Sequence, residues 1–93
     1  MLEVSVEKTS EKEAKKRGVW AVKLARLAGG GWPDHTLFAS GGRIAFVEFK
    51  RAKNYKFEPL QPFIAKMLRK LGFRYAVCKT NEEVKAFYVE WLD

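Results

Sequence analysis

The sequence contains one cysteine and one histidine in 93 residues. A single thiol, Cys78, closes no intrachain disulfide and supplies no cysteine-based zinc site, which points to a reducing, intracellular compartment. No apolar run approaches the ~20 residues of a membrane-spanning helix, and no signal peptide is visible, so the expected location is cytoplasmic and no membrane partner is expected. Internal repeats and low-complexity linkers are also missing. At this length there is room for one core, and residues 1–93 read as a single domain.

What is present is positive charge and aromatic mass. Eighteen Lys and Arg against eleven Asp and Glu give a formal charge of +7, and 14% of residues are aromatic. Disorder is excluded by that apolar content, and the charge suits a polyanion, whose counterions are released when Lys or Arg neutralise it.

Residues 3–17 read as a charged helix stopped by Gly18. Glu7 and Glu11, four apart, share a face. Val19 to Arg26 reads as a strand, with Lys23 on its small-residue side. His35–Ser40 and Arg43–Lys50 read as a hairpin joined by Gly41-Gly42, since glycine supplies the positive φ of a two-residue turn. If Ser40 pairs with Arg43, Asp34 falls opposite Phe49. A slip of one residue puts it opposite Glu48 or Lys50. Glu48 and Lys50 share one face of the second strand and Phe49 takes the other.

Two carboxylates and an ammonium therefore converge at one end of a sheet. Both faces of 43–50 look apolar, and burying unpaired carboxylates is costly. A divalent cation removes that cost, and carboxylate and carbonyl oxygens suit Mg²⁺ or Mn²⁺. From the residues alone a second reading stands beside it: a solvated Glu48–Lys50 ion pair, with Asp34 as a turn residue after Pro33. Trp32 reads as core, and His35 as a hydrogen-bonded neighbour outside catalysis.

Beyond Lys50, the stretch 51–57 is basic with interleaved aromatics and reads as a loop contacting phosphate through Arg51, Lys53 and Lys56. Leu60, Phe63, Ile64, Met67, Leu68 and Leu71 follow helical spacing and read as a core stripe, opposite Lys66, Arg69 and Lys70. Phe73–Lys79 reads as a strand parallel to 43–50, completing a βαβ unit. Thr80 and Glu83 form a capping box for a last helix burying Val84, Phe87, Tyr88, Trp91 and Leu92.

Gly31-Trp32-Pro33-Asp34, thirteen intervening residues, and then Glu48-Phe49-Lys50 resembles the PD-(D/E)xK nuclease signature. The surrounding frame is more specific: Gly18, Lys23, the Gly turn, Pro59-Leu60-Gln61 opening a helix, and Leu71-Gly72 ending it. That order is similar to the VRR-NUC family, the virus-type replication-repair nucleases, over roughly residues 7–83. The resemblance implies an α/β fold of restriction-endonuclease type, in the order αβββαβα with a mixed sheet. It implies an Mg²⁺-dependent endodeoxyribonuclease, with Mn²⁺ substituting and no organic cofactor. Asp34, Glu48 and the Phe49 carbonyl would be metal ligands, and Lys50 and Gln61 would act beside them. Glu7 would be the active-site glutamate of the first helix, supporting a second metal or the first one's water shell, with Glu11 as the alternative, and Lys23 a phosphate contact. Stand-alone members, phage proteins among them, resemble Holliday-junction resolvases. A homodimer acting on branched DNA in repair is thus expected, its contact surface on the first or the aromatic last helix. The alternatives are a flap or other DNA substrate, and a non-catalytic DNA-binding module on the same fold.

Overall fold

The computed structural model describes residues 3–24, 32–50 and 61–93. Its elements are α1 (Glu3–Lys16), β1 (Trp20–Val22), β2 (His35–Ala39), β3 (Arg43–Phe49), α2 (Gln61–Lys70), β4 (Arg74–Cys78) and α3 (Asn81–Leu92). This is the expected αβββαβα order, on one four-stranded sheet ordered β1-β2-β3-β4. The first three strands are antiparallel neighbours, and β4 lies parallel to β3.

Local chemistry sets the element ends. Gly18, at φ +70°, stops α1 with the Val19 amide donating to the Ala14 carbonyl at 2.8 Å, the six-to-one bond of a glycine-terminated helix. At the start of α3 the Glu83 amide donates to Thr80 Oγ1 at 3.1 Å. The Glu83 carboxylate takes the Lys79 amide at 2.6 Å, one residue before the partner a standard capping box would use.

Two elements differ from the sequence reading. β1 ends at Val22, so Lys23 lies past the strand. The hairpin loop holds three residues, Ser40–Gly42, and Ala39 rather than Ser40 pairs with Arg43. Gly41 and Gly42 have φ of +78° and +73°, as the turn reading required, but Ser40 joins the loop. The register therefore slips by one residue and Asp34 falls opposite Glu48, not Phe49.

The sheet separates two environments. On one face Val6 and Ala14 of α1 and Val84, Phe87 and Tyr88 of α3 enclose Leu37, Ala45, Val47, Phe49 and Cys78 in one apolar cluster. Buried Ser10 and Tyr88 hydroxyls, 3.0 Å apart, tie the two helices together. On the other face Phe46 meets Trp32 and Phe73 edge-on, and α2 lays Arg69 over the Tyr75 ring. The expected core stripe of α2 is only partly core. Ala65 and Leu68 are buried, whereas Phe63 and Leu71 are 63% and 67% exposed. α2 covers the β4 side of this face and leaves Trp20, 69% exposed, tilted against Phe38 over β1 and β2. Among the described residues no helix is long and apolar enough to cross a membrane.

Candidate active site

Asp34 precedes β2 by one residue, and Pro33 before it is fully buried. Its backbone amide donates to Glu48 Oε1 at 3.1 Å, and its Oδ2 accepts from the Phe49 amide at 2.8 Å. Each acid thus binds the backbone at or beside the other, which fixes both at the open end of the hairpin. Lys50 extends the sheet through its amide, 3.1 Å from the Cys78 carbonyl, and holds its Nζ 3.7 Å from Glu48 Oε2. The expected convergence of Asp34, Glu48 and Lys50 is present. The alternative of a solvated strand end is excluded, because Glu48 is 1% exposed.

Burial pushes the Glu48 carboxyl up to about 9. The Asp34 side chain and its negative charge push the same way, against the Lys50 ammonium and the bond from the Asp34 backbone amide. With no cation present Glu48 keeps its proton at neutral pH, the usual outcome when a carboxyl is buried beside a second negative charge. Glu48 Oε2 has no hydrogen-bond partner despite its burial. A carboxylate oxygen without a hydrogen bond beside a second carboxylate offers oxygen donors of the kind a hard divalent cation takes.

A second group lies at the same end of the sheet, under α1. Lys23 Nζ donates to Glu7 Oε2 at 2.9 Å, and this bond raises the lysine pKa. Lys23, expected to meet phosphate, is thus ion-paired with Glu7. His35 Nε2 stands 3.7 Å from the same Glu7 oxygen. Glu11, one turn along α1, completes a set of three ligand atoms within 4.8 Å of one another. The Asp34 charge acts on Lys23, His35 and Glu48 alike, so its field reaches both groups.

His35 departs from its sequence reading. It is 2% exposed, packed edge-on against Phe49, and its Nδ1 has no hydrogen-bond partner. Its position in strand alternation, with Leu37 on the α1 face, was the available signal. Tyr75 was missed as well. It pairs in register with Phe46 on the Glu48 face, and burial together with the Glu48 charge pushes its hydroxyl up to about 12. Of the remaining expected residues, Gln61 opens α2 with its side chain outside the described residues, as are Arg51, Lys53 and Lys56. The last helix spends its aromatics on the core: Phe87 and Tyr88 are buried and Trp91 stacks on Phe87.

A groove of about 650 Å³ runs along the free edge of β4 between α2 and α3, lined by Arg69, Tyr75, Val77 and Glu90 among others. Neither Asp34 nor Glu48 lines it, so it is separate from the acidic pair.

Among solved structures, a VRR_NUC domain superposes on this chain with a TM-score of 0.84 and 27% identity, covering 96% of each chain. The chain has the VRR_NUC fold. No family model matches the sequence, and no curated protein matches it. The VRR_NUC fold is a nuclease fold of the PD-(D/E)xK type.

Proposed function

We propose that the chain is a divalent-metal-dependent endodeoxyribonuclease that cuts branched DNA, a four-way junction first among candidates, as a homodimer. The observation that carries this reading is the buried Asp34–Glu48 pair with its unpartnered Oε2 and Lys50 alongside. Asp34, Glu48 and the Phe49 carbonyl would hold Mg²⁺. When bound, the cation supplies Lewis-acid chemistry, acidifying water and offsetting phosphate charge. Glu48 would give up the proton that burial holds on it, and both carboxylates would serve as fixed negative ligands. Lys50 orients the attacking water and places positive charge where the phosphate gains negative charge. Gln61, at the start of α2, supports water or phosphate. Glu7 supports the site from α1 and holds Lys23 ready beside Asp34.

Phosphate binding falls to Arg51, Lys53 and Lys56, which follow Lys50 directly in a chain of net charge +7. The homodimer reading draws support from the apolar side chains left exposed by α2 and β1: Trp20, Phe38, Phe63, Met67 and Leu71. Burying such a face against a second copy would pair two active sites on opposing strands.

The test is cleavage of a labelled four-way junction in Mg²⁺, Mn²⁺ and EDTA, with flap, linear duplex and single-strand controls and Glu48→Gln alongside. Metal-dependent, symmetric cuts confined to the junction support the full reading. Cuts in flap or linear DNA keep the nuclease and discard the junction. Binding of DNA without cutting in any metal sinks the enzyme reading in favour of a non-catalytic module. Light scattering with and without DNA reads the dimer directly.

A further inference from the structure

We infer that the free edge of β4 is a docking site for an extended, acidic segment of another protein, which adds to the sheet as a further strand in the groove between α2 and α3. The inference goes beyond the function proposed above and uses none of the residues assigned there.

The two edges of the sheet are finished differently. β1, at one edge, is three residues long, and a short edge strand offers little to pair with. β4, at the other, is five residues long and reads Arg74-Tyr75-Ala76-Val77-Cys78. It contains no proline and carries charge only at its first position, so it lacks the usual guards against strand addition. The bond from the Lys50 amide to the Cys78 carbonyl fixes which of its groups face β3. In a parallel ladder every second residue turns both its N–H and its C=O to the same neighbour. Arg74, Ala76 and Cys78 therefore face β3, and Tyr75 and Val77 each present an N–H and a C=O to the outside. The chain closes this edge at both ends. The Phe73 amide donates to the Leu68 carbonyl at 3.0 Å, and the Lys79 amide to the Glu83 carboxylate at 2.6 Å. Between those two bonds, among the described residues, nothing pairs with the outward groups of Tyr75 and Val77.

Charge decides what fits. A second copy pairing its own β4 about a two-fold axis would keep its α2 on the same face of the joined sheet. Lys66, Arg69 and Lys70 of both copies would then meet, and α2 holds no acid to relieve them. A lone strand brings no such helix. The acids that line the groove are already engaged: Glu83 by the Lys79 amide, and Glu90 by Arg74 at 3.5 Å. Arg69 is not. It is exposed, lies 4.8 Å over the Tyr75 ring, and has no carboxylate partner among the described residues. An aromatic face orients a guanidinium and leaves its N–H fork free for a carboxylate. Side chains of an added strand alternate between the two walls. Those beside Tyr75 and Arg69 would be acidic. Those on the other side would meet Ala76 and Ala86, where small or branched apolar groups fit. Main-chain bonds to Tyr75 and Val77 would supply the register, as in other strand-addition complexes.

The test uses the full chain and two capped peptides, one alternating valine with aspartate and one alternating valine with lysine. Amide exchange is read by NMR and particle mass by light scattering. In the free chain the Tyr75 and Val77 amides should exchange at least about tenfold faster than those of Ala76 and Cys78. The aspartate peptide should slow both by at least about tenfold, with one peptide bound per chain and no doubling of mass. Arg69→Gln, a change at an exposed site, should weaken that peptide about fivefold, the measure of one partly exposed ion pair. The lysine peptide should not bind, and neither should an aspartate peptide methylated at its backbone nitrogens. The inference is overturned if Tyr75 and Val77 are already protected in the free chain, or if the methylated or the lysine peptide binds as tightly. Protection that appears with a doubled mass and no peptide would hand the edge to a second copy and overturn it too. Nuclease activity plays no part in these readouts, so failure here leaves the function proposed above standing, and the reverse also holds.

Discussion

The two faces of the sheet are unequal. Against α1 and α3 the packing is closed: Leu37, Val47, Phe49, Val84 and Tyr88 are essentially inaccessible. Against α2 it is open: among the described residues Trp20, Phe38 and Phe63 face solvent. Yet the open face carries Glu48, buried and unsatisfied at its end. The comparison teaches a division of labour. One face supplies most of the stability, and this leaves the other free to hold an arrangement that costs stability.

Activity gives the sharpest way to break that division. Glu48→Gln keeps the shape and removes the charge. It should reduce cleavage in Mg²⁺ by at least about 10³-fold while the melting temperature holds or rises. A variant that cuts normally, or one that unfolds, would end the assignment of Glu48 to function over stability. The closed face should show the converse. Leu37→Ala should lose about 2–5 kcal/mol in chemical denaturation through transfer and cavity terms.

A smaller effect is expected from pH. The Glu48 carboxyl titrates at about 9 when folded against an ordinary 4.5. Its proton is held more tightly in the folded state, so its stabilising contribution is complete below the ordinary value and is lost as pH rises through the folded one. The metal-free protein should therefore melt progressively lower between about pH 5 and about pH 9. Saturating Mg²⁺ or the Glu48→Gln change should flatten that slope, and an equal slope in Glu48→Gln would assign it elsewhere. The smallest effect should come from the open face: Phe63→Ser and Leu71→Ser should change monomer stability by under about 0.5 kcal/mol. A larger loss that depends on protein concentration would show that a partner covers them.

Much of this was legible in the sequence because it depends on periodicity and on signals within a few residues. Alternation through Ile44 to Phe49 fixed the faces of β3, Gly18 ended α1, and Thr80 with Glu83 began α3. The pairing of Asp34 with Glu48 was legible only to within one residue. Two glycines satisfy a two-residue and a three-residue loop equally, and whether Ser40 joins the turn is decided by side-chain packing along the whole hairpin. His35 was hidden for a different reason. Its burial beside Glu7 follows from α1 packing on the sheet, a contact between distant segments that no local pattern records. The α2 stripe was read correctly as a period and wrongly as core, since a period identifies an apolar side without saying what covers it.

The bond from the Phe49 amide to Asp34 Oδ2 has one more consequence. A carboxylate there does the work of a main-chain carbonyl and forms the last rung of the ladder between β2 and β3. Chemistry and folding are soldered together at one atom. Replacing Asp34 by alanine removes an oxygen of the proposed metal site and also releases the Phe49 proton to exchange with solvent, so a dead enzyme made this way would be frayed as well as uncharged. Replacing Glu48 leaves that rung in place, which makes it the cleaner position at which to silence the site.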